Sequence, residues 1–137
     1  MKQELVKNIK KKSSVSYSLD NKNAFKITSI RQAVLSKAPT LNKVKRESGL
    51  DKAEGIIEAL LVQLNSKIKL KEKLTENEIR ILAESILAKY SSLKISDIIF
   101  VFNQIADGEI DLFGSLSHRD IMRALYKHNE TRWQHKT

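Results

Sequence analysis

The side chains in this sequence best placed to do chemistry are cationic, and the chemistry they suit is the binding of phosphate. Lys10, Lys11 and Lys12 form one cluster near the N-terminus, and Lys43, Lys45 and Arg46 form another. Lys67, Lys69, Lys71 and Lys73 concentrate charge in a third, alternating with Ile68 and Leu70. Arg119, Arg123 and Lys127 recur at i, i+4 and i+8, so on a helix they share one stripe. Such groups hold a polyanion by its backbone and carry no base readout of their own. The competing reading of each cluster is an ordinary solvated surface.

The overall charge has the same sense but is unevenly placed. The net charge is +9. Residues 1–50 hold twelve Lys/Arg against three acids, whereas residues 51–137 hold thirteen of each sign. The whole excess therefore lies in the first third, which points to a basic arm that meets a polyanion, attached to an electrically balanced domain.

Other chemistries lack their residues. Phosphate-cradling loops need clustered glycines, and Gly49, Gly55, Gly108 and Gly114 are widely spaced. There is no cysteine, which excludes disulfides and thiolate zinc sites and fits a reducing compartment. His118, His128 and His135 stand ten and seven residues apart, too far to share one turn, and read as surface histidines rather than metal ligands. Asp107-Gly108-Glu109-Ile110-Asp111 has its glycine second, and His118 stands where a calcium loop needs its glutamate. It reads as an acidic helix–loop junction. No nucleophile–base constellation is visible, so no catalysis, cofactor or metal is expected.

The elements that must position the cationic groups are helical. Met1 to Lys12 can form a short helix with Leu5, Val6 and Ile9 on one side, and the Ser/Asn/Lys composition of residues 13–23 reads as linker. Ile27 to Lys37 can be helical, with Ile27, Ile30, Val34 and Leu35 inward. Pro39 ends it, Thr40 caps a short helix through about Glu47, and Gly49 closes that. Ile56, Ile57, Leu60, Leu61, Leu64 and Ile68 form one apolar stripe over about residues 51–68. Thr75-Glu76-Asn77-Glu78 is a capping box, and its helix turns Ile79, Leu82, Ala83, Ile86, Leu87 and Tyr90 inward. Ser96 is expected to cap a helix that buries Ile98, Ile99, Phe102 and Ile105 and stops near Gly108. Ser117 starts the last helix, with Ile121, Met122, Leu125, Tyr126 and Trp133 as its stripe. The alternation at residues 67–71 reads as a long interhelical loop.

The fold class that follows is all-α: a bundle of four main helices with one or two smaller helices before it. The domain is placed at residues 26–133, after an arm and linker at 1–25 and before a tail at 134–137. No apolar run approaches the roughly 18–20 residues of a membrane span, and residues 1–12 contain no continuous apolar stretch, so cytoplasm is the expected location.

Residues 40–53 resemble the first helix and turn of a helix-turn-helix, with Val44, Gly49 and Leu50 in core and turn places. The following helix carries Asp51, Glu54 and Glu58, which would face phosphates unfavourably. From Ala38 to Arg132 the chain also resembles small helical proteins of bacterial mobile elements and prophages. The resemblance rests on Ala38-Pro39-Thr40-Leu41, Ser48-Gly49, and Leu74-Thr75-Glu76 with Ile79, Ala83, Ile86 and Tyr90. It continues through Leu93, Asp97, Phe102, Gly108 and Gly114 to Leu125, Tyr126 and Arg132. The pattern is more loosely similar to the helical domains of phage helicase loaders and replisome organisers. That similarity implies an accessory role in DNA replication and a protein partner such as a replicative helicase. Loader ATPases carry a nucleotide site that this chain lacks, so any loading would work through protein contact. The rival readings are a helix-turn-helix regulator and a pure protein-interaction module of the inhibitor or antitoxin kind.

Overall fold

Ser29 opens the first helix: its hydroxyl accepts the Gln32 amide at 3.1 Å, satisfying one of the amides a helix start leaves without a partner. In the computed structural model the described residues are 27, 29–68, 73–110, 112 and 116–135, with the side chains of residues 133 and 135 excepted. Residues 1–25, with Lys10, Lys11 and Lys12, lie outside them, as do Lys69, Lys71, Asp111, Gly114 and the Trp133 and His135 side chains.

Helix α1 (Ile30–Leu35) is shorter than the expected 27–37. Ile27 and Val34 are buried as expected, but Leu35 is 58% exposed and Ala33 takes the inward place. Ala33 and Val34 together form the buried face, and Leu35, about a further 100° round the helix, turns to solvent. Thr40 then caps α2 (Leu41–Ser48) by accepting the Lys43 amide at 3.1 Å. Gly49 joins α2 to α3 (Leu50–Lys67) without any further residue. Its amide donates to the Lys45 carbonyl at 2.9 Å, and its carbonyl accepts the Ala53 amide at 3.2 Å. That double duty requires φ of 98°, where a side chain is strained. A Cβ added there would meet nothing within 4 Å. Gly49→Ala should therefore cost about 1–2 kcal/mol from backbone strain alone, read as a lower urea midpoint with an unchanged m-value.

The stripe expected on α3 is buried throughout, from Ile56 to Ile68. At the far end of α3, the Asn65 amide both donates to the Leu74 carbonyl and accepts the Leu74 amide, each at 2.9 Å. This clamp ties α3 to the start of α4 (Glu76–Lys89), whose capping box forms as read: Thr75 N–H to Glu78 at 2.9 Å and Glu78 N–H to Thr75 at 3.2 Å.

Helix α5 (Ile95–Ala106) is buried at nine of its twelve residues, so it is apolar on almost every side rather than along one stripe. It packs against α1, α3 and α6 (His118–His135), while α3 also packs against α2 and α4. Two connections hold its entry. The Leu41 amide donates to Leu93 at 2.9 Å and the Ile95 amide to Pro39 at 3.0 Å, around an isolated antiparallel bridge between Thr40 and Lys94. The Lys94 ammonium donates to the carbonyls of Val34 and Ser36 at 2.8 and 2.7 Å, closing the C-terminal end of α1.

Ser96 is not the cap of α5. Lys94 occupies that position, and the Asp97 carboxylate accepts its amide at 2.8 Å. The Ser96 hydroxyl is engaged elsewhere, donating to the Ala33 carbonyl at 2.6 Å. The fold is all-α, six helices among the described residues, with α3 to α6 the four longer ones. No helix among them is long and apolar enough to cross a membrane. Helix α6 runs to His135, past the boundary placed at 133.

Candidate nucleic-acid interface

Helix α6 carries both a structural and a candidate binding face, and its inner face fixes where the outer one points. Ser117 begins it, accepting the Asp120 amide at 3.2 Å and donating to the Asp120 carboxylate at 2.9 Å. Ile121, Leu125, His128 and Arg132 follow at i, i+4, i+7 and i+11, and all four are buried. Two residues of α6 differ from what the sequence leads one to expect. Tyr126, expected on the stripe, is 59% exposed, because one residue beyond Leu125 turns it about 100° around the helix. His128, expected at the surface, is 5% exposed.

What buries His128 is Asp97 of α5. The Asp97 carboxylate, fully enclosed, accepts from His128 Nε2 at 2.8 Å through Oδ1 and from Arg132 Nε at 3.0 Å through Oδ2. A carboxylate offers only lone pairs, so Nε2 carries the hydrogen. The imidazole lies against the Phe100 ring, centroids 5.4 Å apart and planes at 48°. Its Nδ1 is buried and has no hydrogen-bond partner among the described residues. An Asp–His pair of this kind could orient a base, but here the second nitrogen is shut away from solvent and Arg132 shares the carboxylate. The arrangement locks α6 to the N-terminal end of α5.

The outer face carries the cationic stripe. Arg119, Arg123 and Lys127 are all exposed, and none forms a salt bridge among the described residues. Arg123 and Lys127 also line an open groove of about 830 Å³ between α1, α5 and α6. Its apolar part comes from Ile30, Phe100, Ile110 and Ala124, and its polar part includes Gln104, Glu109, Asp120 and Thr131. A second hollow of about 390 Å³ shares Phe100, Gln104 and Glu109 with it and is bordered by Lys67. The two hollows are separate but share these three walls, so Lys67 borders one and Arg123 and Lys127 border its neighbour.

The remaining cationic candidates are not part of it. Lys43, Lys45 and Arg46 are exposed on α2, and Lys73 is exposed just before α4. The helix-turn-helix places fare unevenly: Val44 is buried and Gly49 makes the turn, but Leu50 is 50% exposed. A single glycine also separates the two helices, fewer residues than the 3–4 usual in that motif. On α3, partial desolvation raises the pKa of Glu54 above its ordinary value, helped by the charges of Glu84, Asp51 and Glu58. That surface is anionic.

No protein-family model matches this chain, and no curated protein or solved structure matches it.

Proposed function

We propose that this chain is a non-enzymatic accessory protein of nucleic-acid transactions, cytoplasmic and replication-related, from a phage or other mobile element. Its basic segments bind phosphates without sequence preference, and its four-helix bundle docks onto a protein partner such as a replicative helicase. The observation that supports the phosphate-binding part is the stripe of Arg119, Arg123 and Lys127 on α6, all exposed and without a salt bridge among the described residues, with Arg123 and Lys127 lining the groove. The helix-turn-helix alternative would press the anionic surface around Glu54 toward phosphates, so it is set below this reading.

The test is anisotropy with labelled random-sequence DNA, single-stranded and duplex, across a salt series. The full chain should bind with affinity falling steeply as salt rises, because each phosphate contact releases a counterion. Arg119→Glu with Arg123→Glu and Lys127→Glu should shallow the log–log slope by roughly two to three and weaken binding to every sequence alike. Removing residues 1–23 should remove a further share. If the full chain binds neither form near physiological salt, the protein-interaction reading replaces this one.

A further inference from the structure

Resting on the phosphate-binding reading, we infer that the groove between α5 and α6 receives an unpaired base, so that the ligand is single-stranded nucleic acid rather than duplex. Three features of the groove carry this. First, it is concave, with α6 forming one wall. A strand whose phosphates follow Arg119, Arg123 and Lys127 can turn a base inward. Second, the space suits such a group: about 830 Å³ lies within the roughly 300–1,000 Å³ of small-molecule sites. Ile30 and Ile110, both half-buried, supply an apolar surface on which a base face can lie, whereas Phe100 is only 7% exposed and shows little of its ring.

Third, the groups inside the groove differ in sign from those at its edge. Arg123 and Lys127 are exposed cations suited to phosphate, while Glu109 and Asp120 are carboxylates in the same lining. Carboxylates repel phosphate but accept hydrogen bonds from the exocyclic amine of cytosine. Gln104 adds an amide that can both donate and accept. The lining therefore favours an amine-bearing base over thymine, whose Watson–Crick edge sets one ring N–H between two carbonyls that carboxylates repel.

The experiment uses the full chain with labelled 12-mers of oligo-dC and oligo-dT, a duplex of equal length, inorganic polyphosphate and cytidine monophosphate. Oligo-dC should bind several-fold tighter than both the duplex and oligo-dT. Thr131→Leu places a larger, non-aromatic side chain at an exposed position on the groove wall. It should lower oligo-dC affinity several-fold while leaving polyphosphate binding and the melting temperature unchanged. Glu109→Gln should narrow the oligo-dC preference over oligo-dT. Equal affinity for strand and duplex, or oligo-dC affinity unmoved by Thr131→Leu, overturns the inference while leaving phosphate binding intact. Mononucleotide binding as tight as the strand would also overturn it, by assigning the groove to a free nucleotide. Failure of the phosphate-binding reading looks different: strand, duplex and polyphosphate would all fail to bind.

Discussion

Replacing Asp97 by alanine is expected to destabilise the fold by about 3–5 kcal/mol, the cost of removing one partner from a buried ion pair. The melting temperature should fall on the order of 10–20 °C. Three donors lose their acceptor at once. The Arg132 side chain is 11% exposed and would keep a buried positive charge with little water to solvate it. His128 Nε2 would join Nδ1 as a second unsatisfied nitrogen on the same ring. The Lys94 amide would lose its cap, for about a further 1 kcal/mol. Asp97→Asn should fall between wild type and alanine, since one amide oxygen can still accept but the negative charge is gone. Urea denaturation checks the series, and a loss under about 1 kcal/mol for alanine would show that the carboxylate does not hold the two helices together.

Asp97 also marks where sequence reading stops. Apolar period placed α3 and α4 well, because each buries a stripe of Ile and Leu at spacings of three and four, and local hydrogen bonds at Thr40, Thr75 and Ser117 are encoded within a few residues. Those features are short-range, so the chain shows them directly. The triad is long-range: Asp97 and His128 lie thirty-one residues apart, and nothing local says that a helix-start carboxylate will meet a helix-end guanidinium. A sharper rule would have helped on α6. Continuing the spacing of Ile121 and Leu125 leads to His128 and Arg132, not to Tyr126, so two polar residues on an apolar stripe signalled a buried anion elsewhere. Ser96 misled for a related reason. Its type suits a cap, but the competing acceptor at Ala33 took its hydroxyl. The candidate interface was half legible. Residues 119, 123 and 127 form a stripe by arithmetic alone, whereas the groove that Arg123 and Lys127 line depends on how α1, α5 and α6 pack.

The second large effect is a recovery. Asp97→Leu combined with His128→Leu and Arg132→Met should regain most of the stability lost in Asp97→Ala, leaving a deficit of about 1–2 kcal/mol. Buried ion pairs are costly to desolvate, so apolar groups of similar volume often do as well or better once no charge is left behind. The residual deficit is the Lys94 amide, which leucine cannot accept. The combination also separates support from binding. All three residues lie on the inner side of α6 or on α5, while Arg119, Arg123 and Lys127 remain exposed on the outer side. The salt slope of oligonucleotide binding should therefore match wild type, because no phosphate-facing cation is changed, while the affinity itself can shift because His128 lines the groove beside Phe100. A refolded triple variant that no longer binds would mean that the ionic triad does more than hold α6 in place. Its charge, or the unsatisfied His128 Nδ1, would then belong to the binding chemistry itself.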